Sequence, residues 1–383
     1  MSRGGWTLKN KSLAISDNFA PRYGLRLAAA VICLSIFGLL MLYSASYYTA
    51  EYKYGDAFFY VKKQAIAFAV ALAAMAGASR LPLKWVRKAQ IPLLAVSYVL
   101  MGVVFIPALG VESYGARRWL NLGFFSMQPS EIAKFAYVLS AACYVDRHGV
   151  ETFKRLLPPL ISGLAFCVLL LLEPNMSVTM IMMGLVLVML FVGGARGKHF
   201  ALLALPILVA VPLLIIVEPY RLQRLMAFVD PWASPKGEGY QLIQSYYALG
   251  SGGLFGVGYL NSRQKYMFLP FAESDFIFSV IGEEWGLVGA VAVMLVFLYV
   301  VYLGLRVASR AHTRFAALLS YGVTAVIALQ TLLNVAVVTG CVPPPGVPLP
   351  FVSFGGSSLV CFMGAVGVLM SVDRITRLEG HIQ

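Results

Sequence analysis

Ten stretches of this chain are each about as long as a helix that crosses a lipid bilayer, which takes roughly 20 mostly apolar residues. They run Leu25–Ser44, Val61–Ser79, Ala89–Leu109, Glu131–Val145, Leu156–Leu172, Ser177–Gly193, Phe200–Val217, Phe276–Leu305, Phe315–Cys341 and Gly356–Val372. Together they use about half of the 383 residues and leave no room for a separate soluble domain. Only 12% of the chain is charged, about half the share of a soluble protein. The expected fold is an all-α integral membrane protein of about ten transmembrane helices. One membrane domain covers 1–383: spans one to seven in 25–217, a large extracellular loop in 218–275, spans eight to ten in 276–372, and cytoplasmic tails at 1–24 and 373–383. The first span is longer than the apolar core of a cleaved leader, which predicts that it is retained.

The basic excess, a formal +13, has a membrane explanation. Loops on the side of the N-terminus hold nineteen Lys and Arg against five acids. The other side holds ten Lys and Arg with about as many acids. Lys and Arg collect on the cytoplasmic side, so both termini are expected there. No basic face with interleaved aromatics exists outside the spans, which excludes nucleic-acid binding. The five cysteines lie in or beside apolar spans without a Cys-x-x-Cys pair. They read as small buried hydrophobes.

Charges inside a bilayer are costly, so each is a functional candidate. Glu131 and Lys134 sit three apart on the fourth span, a spacing that also suits a plain structural ion pair. Asp275, Glu283 and Glu284 begin the eighth. Glu283 is about two turns, or roughly 12 Å, below Asp275 and on a similar side. The two are expected to line one cavity, with Glu284 pointing away. Arg117 and Arg118 sit in the loop after the third span, and Arg263 and Lys265 follow a glycine-rich run. Such groups hold phosphate oxygens or simply anchor the chain at the interface. Glu173-Pro174-Asn175 makes a short turn between spans five and six. The run Pro343 to Phe351 cannot be helical and leads to Gly355-Gly356-Ser357-Ser358. Broken backbone at membrane depth lines a cavity or is buried in protein. Glu173 and Ser357 are therefore candidate cavity-lining residues.

Several runs follow one another in a set order: Gly115-Ala116-Arg117-Arg118-Trp119; Gln128-Pro129-Ser130-Glu131-Ile132-Ala133-Lys134; Glu173-Pro174; Gly239-Tyr240-Gln241; Asn261-Ser262-Arg263-Gln264-Lys265-Tyr266; Asp275-Phe276-Ile277-Phe278 with Glu283-Glu284; and Pro348-Leu349-Pro350-Phe351 with Gly355-Gly356-Ser357-Ser358. Taken together, these runs resemble the SEDS family (shape, elongation, division and sporulation). They span nearly the whole chain, and the Asn261 run looks most like the FtsW/SpoVE branch. The resemblance implies ten helices and a peptidoglycan glycosyltransferase at the outer face of the bacterial cytoplasmic membrane. Its substrate would be lipid II, an undecaprenyl diphosphate-linked disaccharide-pentapeptide. Its partner would be a class B penicillin-binding protein, a transpeptidase. The family's key aspartate falls on Asp275. The sequence departs from the family pattern at Phe271, Glu273, Asn175 and Pro345.

Under that reading Asp275 is the catalytic base. Arg117, Arg118, Arg263 and Lys265 are candidates for the substrate diphosphate, with a divalent cation, Mg or Mn, as a further candidate for the same task. Glu131, Lys134 and Glu283 are supporting intramembrane charges, with Lys134 expected to pair with Glu283 or Glu131. Two alternatives stay open on sequence alone: a lipid II flippase, and a non-enzymatic scaffold for the transpeptidase.

Overall fold

A computed structural model of the chain describes residues 22–113, 116–121, 123, 126–203, 219–343 and 346–380. Gly115, Pro344, Pro345 and nearly all of the expected seventh span lie outside the described residues. The helices are α1 (Tyr23–Tyr54), α2 (Phe59–Arg80), α3 (Leu83–Lys88), α4 (Gln90–Val103), α5 (Pro129–His148), α6 (Phe153–Leu172), α7 (Met176–Val192), α8 (Pro219–Val229), α9 (Tyr240–Gly252), α10 (Ile277–Arg310), α11 (Arg314–Val338) and α12 (Gly356–Gly380).

Among the described residues, α1, α2, α6, α10, α11 and α12 are long and apolar enough to cross a membrane, and α4 and α7 are shorter apolar helices. Helix α5 carries Glu131 and Lys134 yet is largely buried. Large apolar side chains also face outward, among them Leu40, Ile66, Ile161, Phe191, Leu295 and Leu298. Water would penalise such a surface, and lipid does not. The molecule is a multi-pass helical membrane protein, as the ten apolar stretches imply.

Packing between helices relies on missing side chains, as is usual where lipid supplies no hydrophobic drive. A Cβ on Gly367 of α12 would come within 2.4 Å of the Met75 carbonyl of α2. These two helices therefore lie backbone to backbone.

Two features were not expected. First, 110–127 is a small antiparallel sheet, β1 (Gly110–Ser113), β2 (Ala116–Asn121) and β3 (Ser126–Met127), in the order β1-β2-β3. Arg117, Arg118, Trp119 and Leu120 alternate across β2, and Leu120 is the buried one. Alternation along a strand sends neighbouring side chains to opposite faces.

Second, α10 is broken at Gly286, where φ is +66°. The glycine-rich segment after α9 fills the break with its own backbone. Val257 and Gly258 amides donate to the Glu283 and Glu284 carbonyls at 3.0 Å. Leu287 and Val288 amides donate to the Gly253 and Leu254 carbonyls at 2.9 and 3.1 Å. The groups freed by the break are thus paired, as an apolar setting demands. A Cβ on Gly256 or Gly286 would strike backbone at 2.1 or 2.4 Å, which explains why this run is built of glycine.

Candidate active site

Asp275 sits in the turns just before α10, half-buried. Two neighbouring elements hold this segment by its main chain. From α11, the Asn334 amide donates to the Asp275 carbonyl at 2.8 Å and to the Val347 carbonyl at 2.7 Å. One turn earlier, Gln330 donates to the Pro348 carbonyl at 3.0 Å. The proline-rich segment completes the clamp: Ser353 donates its hydroxyl to the Ser274 carbonyl, and the Phe354 amide donates to the Glu273 carbonyl at 2.9 Å. Gln64 of α2 in turn holds Ser353 and Gly355. Proline removes main-chain donors from this segment, and its carbonyls are left for side-chain amides to hold.

The carboxyl of Asp275 faces Gly346. A Cβ there would lie 2.7 Å from Asp275 Oδ2, and Gly346 has φ +74°. Burial lifts the Asp275 carboxyl from its ordinary range to about 6, the nearby Glu273 charge adds to this, and Arg118 and Arg224 oppose it. Glu273 is itself raised, mainly by burial. A carboxyl poised at about 6 accepts a proton far more readily than an exposed aspartate, which suits a general base near neutral pH.

Arg118 reaches from β2 to the turn after α6. Its Nε donates to the Glu173 carbonyl at 3.3 Å, and its Nη2 donates to the Pro174 carbonyl. Beneath it the Glu173 side chain is buried, and among the described residues neither of its oxygens is hydrogen-bonded. Burial pushes that carboxyl up to about 8, against the pull of Arg118. Burial thus favours its neutral form. Arg117, next along the strand, is half-buried and faces the other side of the sheet.

The intramembrane charges form a separate network. Lys134 Nζ donates to Glu131 at 2.8 Å and to the Gln330 side-chain carbonyl, all buried. Ser358 of α12 donates to the other Glu131 oxygen at 2.9 Å. Ser357 accepts from the Gln128 amide at 3.5 Å. Of the two partners expected for Lys134, the structure supplies Glu131. Gln330 links this pair to the segment that holds Asp275.

Two expectations change. Glu283 does not face Asp275: its carboxylate accepts from the Ser262 hydroxyl and, at 2.8 Å, from the Arg263 amide. Lys265, expected to meet the substrate diphosphate, instead pairs with Glu284 at 2.9 Å and is 1% exposed, so its charge is already matched. Glu284, expected to point away from the Asp275 side, also accepts from Ser44 of α1. The physical reason is common to both. The 253–266 segment wraps the break in α10 and meets both acids. Arg263, two residues from Lys265, stays exposed.

Sequence reasoning missed Arg224, Gln330 and Asn334. Gln330 and Asn334 are four apart inside an apolar span, and polar groups there mark function as charges do. Among the described residues no cluster of three or more His, Cys, Asp or Glu could cage a metal ion. Asp275 and Glu273 alone do not fit one.

Fold and site together define a polytopic helical membrane protein with a strapped, raised carboxyl beside two arginines at one rim of the bundle. Residues 25–378 match the FtsW/RodA/SpoVE cell cycle protein family, and the chain belongs to it. The stage V sporulation protein E of Bacillus subtilis is 37% identical over 92% of this chain and 97% of its own. A probable peptidoglycan glycosyltransferase FtsW of Thioalkalivibrio sulfidiphilus is 39% identical, covering 95% of this chain and 92% of its own. A chain from a peptidoglycan synthase complex that coordinates polymerisation and crosslinking superposes with a TM-score of 0.77, at 26% identity over 92% of this chain and 98% of that one. The rod shape determining protein RodA of Thermus thermophilus shares the fold, with a TM-score of 0.68, 24% identity and coverage of 91% and 96%.

Proposed function

We propose that this chain is a peptidoglycan glycosyltransferase that joins lipid II units at the outer face of the bacterial cytoplasmic membrane. The observation that carries this reading is the Asp275 carboxyl, raised to about 6 beside Arg118 and Arg224, in a chain whose relatives include probable peptidoglycan glycosyltransferases. The charge bias of the loops supports an orientation with both termini in the cytoplasm. The Asp275 rim then faces outward, where lipid-linked sugars meet water.

Asp275 takes the proton of the acceptor's 4-hydroxyl as that oxygen attacks the donor's anomeric carbon. The new C–O bond forms as the bond to the diphosphate breaks, and the diphosphate leaves with the electron pair. Attack from the opposite side turns an α-linked donor into a β-linked product. Arg118 and Arg224 supply positive field beside the reacting carboxyl, and Arg117 extends it on the far face of the sheet. Such preorganised charge is typically the largest contribution to catalysis. Burial of Glu173 beneath Arg118 disfavours the charged form that would oppose this field. A class B penicillin-binding protein is the proposed partner, which would crosslink the strands made here.

The test is polymerisation of fluorescent lipid II by purified protein in detergent, with and without such a transpeptidase. Glycan ladders are expected. A transporter of lipid II would give none, since detergent leaves no bilayer to cross.

The rate should rise with pH through about 6, because only the ionised Asp275 accepts a proton. The stability linked to this group runs the other way. Its folded pKa lies above the ordinary 3.8, so its contribution is full below about 4 and is lost as pH rises through about 6. A pH–rate profile on pre-folded protein checks the first, and thermal unfolding against pH the second.

Asn334→Leu should lower kcat by about 10²-fold with little change in KM, because a displaced base is poorly aimed while the rest of the site still binds. Asn334→Ser, which keeps one donor, should recover part of the loss. A change in KM alone would remove Asn334 from this role.

A further inference from the structure

We propose a second anion site, separate from the Asp275 rim, that takes the phosphate group of an outer-leaflet lipid on Arg263. It rests on the orientation given above but not on the reaction.

A cavity of about 540 Å³ is lined by Ser251, Val257, Asn261, Arg263 and Glu283. It lies where the end of α9, the segment after it and the broken part of α10 meet. Among the described residues nothing pairs with the Arg263 guanidinium; its main chain is engaged, the amide by Glu283 and the carbonyl by the Tyr266 amide. The Asn261 side-chain amide gives one N–H to the Val257 carbonyl at 3.2 Å and keeps the other. Glu283 forms one wall, but its two oxygens are turned to the Ser262 hydroxyl and the Arg263 amide. The cavity thus offers a guanidinium and an amide donor, the set that holds phosphate oxygens.

Two helices fix its depth. From Arg306, the first basic residue at the inner end of α10, the twenty residues up to Gly286 rise about 30 Å, the thickness of the hydrocarbon core. From Arg26 on α1, the eighteen residues up to Ser44 rise about 27 Å. Ser44 is the residue that meets Glu284 and Lys265 beside this cavity. Both counts put Arg263 at the level of outer-leaflet phosphates. Aromatic residues cluster beside it on α1, the 253–266 segment and α10, among them Tyr43, Tyr47, Tyr48, Tyr259, Tyr266 and Trp285, as at membrane interfaces generally. Below and beside the cavity the segment presents Leu254 and Phe255 outward, the latter 81% exposed. A phosphate on Arg263 would have its hydrocarbon chain along these side chains.

Two sources share this chemistry: a bulk anionic phospholipid, and the lipid diphosphate that the polymerase uses and releases. Native mass spectrometry of the purified full chain, titrated separately with phosphatidylglycerol and with undecaprenyl diphosphate, distinguishes them. The expected result is that Arg263→Gln weakens binding by about tenfold or more, the loss of a charge-assisted hydrogen bond. Arg263→Lys should retain part of it. Weakening for both probes supports a general lipid-phosphate site, and weakening for the diphosphate alone supports a substrate or product site. Unchanged binding of both probes in Arg263→Gln overturns the proposal. Asn261→Leu gives a second route if Arg263→Gln does not fold, and should weaken the same probes. Binding is read here without turnover, so failure of this proposal is distinct from failure of the glycosyltransferase reading, which the ladder assay tests.

Discussion

Asp275→Asn should lower lipid II polymerisation by about 10²- to 10⁴-fold, the usual worth of a positioned general base. The amide keeps the shape of the side chain and loses the proton acceptor. The main-chain clamp from Asn334, Ser353 and Phe354 does not involve the carboxyl, so the segment should stay in place. Stability at pH 7 to 8 should hold or improve, because ionising a carboxyl whose pKa is raised to about 6 works against folding. Ladder assays and thermal unfolding on the same preparation separate the two effects. Near-parental polymerisation at equal folded protein would remove Asp275 as the base. Lost activity together with lost stability would point to a structural role instead.

Lys134→Met should destabilise the protein by about 3–5 kcal/mol, the range for removing one partner of a buried ion pair. Lys134 and Glu131 are 0% and 2% exposed. With the ammonium gone, Glu131 keeps a hydrogen bond from Ser358 but no balancing charge. The side-chain carbonyl of Gln330 also loses its donor. Pairing the change with Glu131→Leu should recover much of the loss, since an apolar pair of similar volume is often neutral or better in such a site. Denaturant unfolding of the single and double variants in one detergent tests this. A double variant no better than the single would show that the charges do not act as a pair. Because Gln330 also holds the Pro348 carbonyl, activity should fall in the single variant even where it remains folded.

The membrane fold was legible because it needs little information: apolar length and scarcity of charge. Asp275, Glu131 and Lys134 were legible for a related reason, as charges stand out against an apolar background. Partners were harder. Lys265 and Arg263 look alike in sequence, two basic residues in one short run. Only the break in α10, which brings Glu284 beside Lys265, separates a buried ion pair from an exposed guanidinium. Glu283 and Asp275 fall on a similar side of an ideal helix, but helix geometry does not say which loop covers that side. The sheet at 110–127 escaped because its strands are short and its alternation rests on four residues, Arg117 to Leu120. Arg224 escaped because, in an amphipathic helix of the long loop that also carries Arg221, a basic residue is expected at the interface and does not stand out.

The joint at Gly286 has a consequence for how such a chain can change over generations. Its bonds run from main chain to main chain, and no side chain takes part in them. Drift can replace nearly every chemical group around it and leave the joint standing, provided Gly252, Gly256 and Gly286 remain bare. What is inherited there is an emptiness. A comparison that weighs shared functional groups would take the region for a spacer, although it holds both acids of α10 in place.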